Sequence, residues 1–193
     1  MLSPEVSAET QALLFDCDGT LVDTMGLYRI GWHQVFGRHG FEMTEEWFQT
    51  WGGHSTKAFV EAALPEADAD LVEQVSREGH EHFLSLVHLL EPFEHVVEVA
   101  RANHGRLPMA VVSGGPRVAV LASLRAVGIE HLFELVVTAD DVPAGKPAPD
   151  AYLKAIADLG VDPQACVAYE DSASGMASAR DAGIPVIHDV RLA

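Results

Sequence analysis

The sequence predicts an α/β fold: a parallel, doubly wound sheet with helices on both faces, interrupted once by a helical insertion. Three observations carry this reading. Short, wholly apolar runs recur along the chain, each closed by a polar turn. Helical segments separate the later runs and end in glycine, the residue that closes helices in the left-handed conformation. Between residues 25 and 91 this alternation stops and only helical patterning remains.

The first run, 12–16 (ALLFD), lacks the period-two alternation of a half-exposed strand, so it reads as a strand buried on both faces. It is closed by Cys17-Asp18-Gly19-Thr20. The run 109–113 (MAVVS) ends in Gly114-Gly115-Pro116, and 135–139 (LVVTA) ends in Asp140-Asp141. The run 166–169 (CVAY) leads into Glu170-Asp171-Ser172, and 185–188 (PVIH) is the last. Helices are expected over 117–127, 149–159 and 173–182, with Gly128, Gly160 and Gly183 as their C-terminal caps. Strands alternating with helices imply parallel βαβ units. In the insertion, 26–39 places Leu27, Ile30, Val35 and Phe36 toward a core. The segment 70–90 carries Leu71, Val72, Val75, Phe83, Leu86, Val87 and Leu90 on one broad stripe. The expected organisation is a three-layer, Rossmann-like core of residues 1–24 plus 92–193, with a helical cap over 25–91.

Composition narrows the function. A chain of 193 residues, 48% hydrophobic and 21% charged, is globular rather than disordered. Twelve basic residues against 29 acidic ones give a net charge of −17. That surface repels nucleic-acid backbones and anionic lipid heads, so neither is an expected partner. Two cysteines, Cys17 and Cys166, suit a reducing compartment. The first residues lack a basic stretch followed by an apolar one, and no apolar run is long enough to span a bilayer. A cytoplasmic monomer is expected.

Open parallel sheets bind ligands beyond the carboxyl ends of their strands. The first strand delivers Asp16 and Asp18 there, the second Ser113 and Gly114, and the fourth Glu170 and Asp171; Lys146 follows the third in the loop GKPAPD. Carboxylates crowded at one edge repel one another unless a cation holds them, and an all-oxygen set suits Mg2+. Lys146 and Ser113 are then placed to bind phosphoryl oxygens, with backbone N–H groups after Asp16 and at Gly114 completing a cradle. Asp16 is the expected nucleophile and Asp18 the general acid and base.

Each group also has a plainer reading. Asp16 and Asp18 suit a turn after a strand, and Ser113-Gly114-Gly115-Pro116 suits an ordinary helix start. Lys146 fits a solvated loop, and Glu170-Asp171 fits a helix cap. Their joint presence favours the chemical reading. His80 and His82 are expected to be solvated, Trp47 and Trp51 to pack within the insertion, and Cys17 to be a small packing residue.

The segment Asp16-Cys17-Asp18-Gly19-Thr20-Leu21-Val22-Asp23-Thr24 resembles the first motif of the haloacid dehalogenase superfamily in its phosphatase form. Ser113, Lys146-Pro147 and Glu170-Asp171-Ser172 resemble its second, third and fourth motifs in the right order. The Glu-Asp-Ser motif and the helical insertion are similar to the β-phosphoglucomutase-like branch. Within that branch HGRLPMAVVSGG, GKPAPD and DVRL look most like bacterial sugar phosphatases acting on fructose-1-phosphate and similar substrates. The resemblance implies Asp16, the Asp18 backbone carbonyl and Asp171 as Mg2+ ligands, with Glu170 beside them. It also implies a cap loop meeting the substrate near His54 and Thr56, where a plain surface turn is the other reading. Mutases of that branch carry a His where this chain has Tyr28, and an Arg within the stretch that here reads Gly52-Gly53-His54-Ser55-Thr56. The implied function is a Mg2+-dependent phosphatase of sugar or polyol phosphates working through an aspartyl-phosphate on Asp16. A phosphosugar mutase and a non-enzymatic phospho-acceptor or binding protein on the same fold are the alternatives.

Overall fold

The computed structural model describes residues 6–51 and 56–192. Five parallel strands, β1 (Ala12–Phe15), β2 (Met109–Val112), β3 (Leu135–Val137), β4 (Cys166–Glu170) and β5 (Val186–Asp189), lie in the order β3-β2-β1-β4-β5. β1 is central and buried along its whole length, as its unbroken apolar run requires. β1 and β2 end one residue before the apolar-run reading, although the N–H groups of Asp16 and Ser113 still donate to Tyr169 O and Val137 O. β4 ends one residue later, so Glu170 sits within the ladder opposite Asp189. That difference anchors Glu170 by its own backbone.

Among the described residues, four α-helices accompany the sheet: α5 (Glu94–Asn103), α6 (Arg117–Ala126), α7 (Asp150–Leu159) and α8 (Ala173–Asp181). Ala12, Leu14, Ala110, Val112 and Ala168 share a buried cluster with Ala151, Tyr152, Ala155 and Ile156 of α7 and Ala179 of α8. Strand alternation puts Asp16 and Glu170 on this same face. α7 stops at Gly160, where φ is +67°.

The chain divides into two compact units, Met1–Thr24 with Leu90–Ala193, and Met25–Leu89. Where the chain leaves the first unit and returns, Asp23 N donates to Glu91 O and Phe93 N donates to Leu21 O, both at 2.9 Å.

The second unit contains α1 (Met25–Arg38), α2 (Glu45–Trp51), α3 (Thr56–Ala63) and α4 (Ala69–Leu86). Asp68 caps α4 by accepting from Leu71 N at 2.9 Å. The core joins Trp32, Val35 and Phe36 to Met43, Phe48, Phe59, Val60, Val72 and Val75. Phe59 lies 5.2 Å from Trp32 and 5.0 Å from Trp47, centroid to centroid. The face expected for α1 needs correction: Ile30 is 44% exposed, and Trp32 turns inward instead. The reason is Gly79 on α4, whose missing side chain makes room for the Trp32 ring. His80 and His82 are half-buried rather than solvated. His80 Nε2 lies 3.4 Å from Thr56 Oγ1, and His82 Nε2 is buried without a hydrogen-bond partner among the described residues. Among the described residues no helix is long and apolar enough to cross a membrane.

Gly79 yields a test of packing. On helix propensity alone, Gly79→Ala in the interior of α4 stabilises by about 1 kcal/mol. A Cβ there overlaps the Trp32 ring, and overpacking costs roughly 1–3 kcal/mol. We expect the steric cost to win, so Gly79→Ala lowers the urea midpoint followed by tryptophan fluorescence. A raised midpoint contradicts this packing.

Candidate active site

Asp16 stands one residue beyond β1, its backbone N–H still donating to Tyr169 O at 3.0 Å. Its side chain meets the ammonium of Lys146, which donates to Asp16 Oδ1 at 2.7 Å, Glu170 Oε1 at 2.5 Å and Val112 O at 2.9 Å. Those three acceptors use all three protons of the ammonium. The lysine reaches them from the loop before α7 across the carboxyl ends of β1, β2 and β4. Both ion pairs are buried: side-chain exposure is 8% for Lys146, 8% for Asp16 and zero for Glu170.

Glu170 is held from both oxygens. Oε1 also accepts from Tyr152 Oη at 2.9 Å, and Oε2 accepts from Ser172 Oγ at 3.2 Å and Ser172 N at 3.4 Å. Ser172 caps α8, accepting from Gly175 N at 3.0 Å. Gly175 is needed for this approach, since a Cβ there overlaps the Glu170 carboxylate. Asp171 accepts from Thr20 Oγ1 at 3.3 Å. Gly19 lies against it at φ +87°, where a Cβ would come within 2.5 Å of Oδ2.

Asp18 faces a different neighbour. Its Oδ2 accepts from Ser113 Oγ at 3.2 Å, and Ser113 Oγ in turn accepts from Gly115 N at 3.0 Å. Gly114 is exposed, with open space where a side chain would stand. The loop carrying these residues is tied down by Arg117, which donates to Asp141 Oδ2 at 2.6 Å and Val136 O at 2.9 Å. Asp141 completes the tie by accepting from the backbone N–H and hydroxyl of Thr138, each at 2.8 Å.

Carboxylate oxygens of Asp16, Glu170 and Asp171 lie within 4.8 Å of one another. Burial, opposed by Lys146 but reinforced by Glu170, Asp18 and Asp171, pushes the Asp16 carboxyl well above the usual carboxylate range. Burial followed by repulsion from Glu170 raises Asp171 as well, and burial raises Asp18. Lys146 is the reverse case. Burial works against its charge, but Asp16, Tyr152 and Glu170 outweigh that and hold it protonated. One ammonium therefore faces more acid than it neutralises. An all-oxygen set with surplus negative charge fits a hard divalent cation such as Mg2+, which would favour the ionised form of Asp16.

The structure thus brings Asp16, Lys146, Glu170 and Asp171 into one cluster and pairs Asp18 with Ser113 beside it. His54 lies outside the described residues. Thr56 begins α3 in the helical unit, beside His80. Sequence reasoning passed over Tyr152, Thr20, Gly175 and Arg117. Thr20 was readable from its place in the first turn. Tyr152 carried no signal, because its partner Glu170 is distant along the chain and joins it only through sheet and helix packing.

Residues 13–188 match the family described as haloacid dehalogenase-like hydrolase. The fructose-1-phosphate phosphatase YqaB of Escherichia coli (strain K12) is 37% identical over 182 residues, covering 93% of this chain and 96% of that protein. The crystal structure of CbbY from Rhodobacter sphaeroides in complex with phosphate aligns with a TM-score of 0.83 at 25% identity, over 92% of this chain and 85% of the other. That of a putative beta-phosphoglucomutase from Thermotoga maritima aligns with a TM-score of 0.74 at 31% identity, over 92% and 84%. With the motifs in order, the parallel sheet and a match across nearly its whole length, the chain belongs to the haloacid dehalogenase-like hydrolase family.

Proposed function

We propose that this hydrolase is a Mg2+-dependent phosphatase of small sugar or polyol phosphates that forms an aspartyl-phosphate on Asp16. The observation that carries the proposal is the Lys146 ammonium seated between Asp16 and Glu170 at the carboxyl edge of the sheet, with Asp171 alongside. Lys146 binds a phosphoryl oxygen and holds the phosphorus in line with Asp16, helped by Ser113 and the backbone at Gly114. Asp16 attacks phosphorus, and the bond from phosphorus to the substrate alkoxide breaks. Asp18 donates its proton to that departing oxygen; burial raises its pKa in the direction a general acid requires. Asp18 then takes a proton from water, the water oxygen attacks phosphorus, and phosphate leaves with Asp16 regenerated. Asp16, Asp171 and the Asp18 backbone carbonyl would hold Mg2+, with Glu170 beside them gripping Lys146. When bound, the ion supplies charge neutralisation for the phosphoryl group and keeps Asp16 ionised.

The relative named as a fructose-1-phosphate phosphatase supports a sugar phosphate as substrate. Residues 25–91 serve as a cap that excludes water while the first transfer occurs, and His54 and Thr56 are candidates for substrate contact. Tyr28 and Thr56, at positions where mutases carry other groups, favour water as the final acceptor. The net charge of −17 disfavours nucleic acid or an anionic membrane as partner, and the free thiols Cys17 and Cys166 suit the cytoplasm. We favour a monomer.

Phosphate release from a panel of phosphorylated sugars, polyols and nucleotides tests this reading. We expect a sugar or polyol phosphate to lead the panel. Chelation should lower its turnover by roughly 10²-fold or more, and Mg2+ should restore it. Unchanged turnover under chelation, or an isomerised phosphosugar in place of free phosphate, overturns it.

A further inference from the structure

Tyr152 is fully buried on α7, in an apolar cluster with Ala151, Ala155, Ile156 and the strand residues Leu14 and Ala168. Filling that space needs only the ring, and a buried hydroxyl costs stability unless it is bonded. Among the described residues its hydroxyl bonds to Glu170 Oε1 at 2.9 Å, the same oxygen that receives the Lys146 ammonium. The ring also lies under that ammonium, 5.3 Å from Nζ to the centroid.

The consequence is geometric. Lys146 is shared between two carboxylates, Asp16 and Glu170. Any freedom in Glu170 is therefore passed to the ammonium beside Asp16, where phosphorus must arrive. Ser172 fixes Oε2 from α8 and Tyr152 fixes Oε1 from α7, so the carboxylate is clamped from both sides. The Tyr152 bond also takes up acceptor capacity on Oε1 that would otherwise tighten its hold on the lysine.

We infer that Tyr152 is a positioning residue: through Glu170, its hydroxyl sets where Lys146 holds its ammonium and hence how firmly the phosphoryl group is gripped. The inference rests on the reading of Lys146 as the phosphoryl-binding cation.

The test compares Tyr152→Phe, Glu170→Gln, their double variant and Lys146→Met in the full chain with Mg2+. Steady-state kinetics, competitive inhibition by inorganic phosphate and thermal melting are measured for each. Tyr152→Phe is expected to lower kcat by about 5- to 10-fold and to raise the inhibition constant for inorganic phosphate several-fold, the loss of roughly one hydrogen bond. Its melting midpoint should stay close to the parent's. In the Glu170→Gln background the same substitution should add no further loss, because both changes act on one connection. Parent-like kcat and phosphate inhibition in Tyr152→Phe, an additive loss in the double variant, or a loss explained by a collapsed midpoint overturns the inference. Lys146→Met separates the two levels. If it keeps the parent rate, the reading of Lys146 fails; if it is inactive while Tyr152→Phe matches the parent, only the role of Tyr152 fails.

Discussion

Asp16→Asn lowers turnover by roughly 10³-fold or more while the protein stays folded, because an amide cannot replace the attacking carboxylate. The stability side gives this prediction a signature that a structural aspartate would not share. Burial pushes the Asp16 carboxyl above its ordinary range, with Lys146 opposing. The folded state therefore binds that proton more tightly than the unfolded chain does. Stability contributed by the group is present below the unfolded-state pKa and is lost as pH rises toward the folded value. Asn has no titrating carboxyl, so it removes this loss of stability with rising pH. Asp16→Asn should then melt no lower than the parent at pH 7 without divalent cations, and its advantage should shrink at acid pH. A variant that loses activity and stability together would mark Asp16 as a structural residue.

Lys146→Met is the second large effect, and it runs the other way in stability. The substitution leaves the carboxyls of Asp16 and Glu170 facing one another in a buried site with their cation gone. Breaking a buried pair by removing one partner costs roughly 3–5 kcal/mol, whereas loss of a surface pair costs little. Turnover should fall by about 10²- to 10³-fold, the scale for removing one group that stabilises transition-state charge. Urea denaturation with and without Mg2+ checks the electrostatic cause. Added Mg2+ should recover more stability in Lys146→Met than in the parent, since the variant has the larger unbalanced charge. Equal recovery in the two proteins would mean that unbalanced charge is not the cause.

The central strands β1, β2 and β4 were legible because burial on both faces leaves unbroken apolar runs, whereas the edge strands β3 and β5 are only partly buried. Strand order followed less directly: the runs imply parallel pairing, but the central place of β1 emerges only from the ladder. Asp16, Ser113, Lys146 and Glu170 stood out because each follows or closes an apolar run with a polar group. What the sequence hid were contacts made across elements. Trp32 turns inward because Gly79 on another helix lacks a side chain, and the pattern of α1 alone pointed to Ile30. Glu170 read as one more acid of a metal set, and the structure keeps it within 4.8 Å of Asp16 and Asp171 but adds Lys146, Tyr152 and Ser172 as partners that its motif did not reveal. The helical unit was readable as helices, but no residue code there names a substrate.

The most direct measurement is mass spectrometry of the peptide containing Asp16 after acid quenching during turnover of the best sugar phosphate with Mg2+. The expected result is the added mass of one phosphoryl group on Asp16, absent in Asp16→Asn and absent under chelation. A phosphoryl group trapped on another residue, or full turnover with Asp16 never modified, would contradict it.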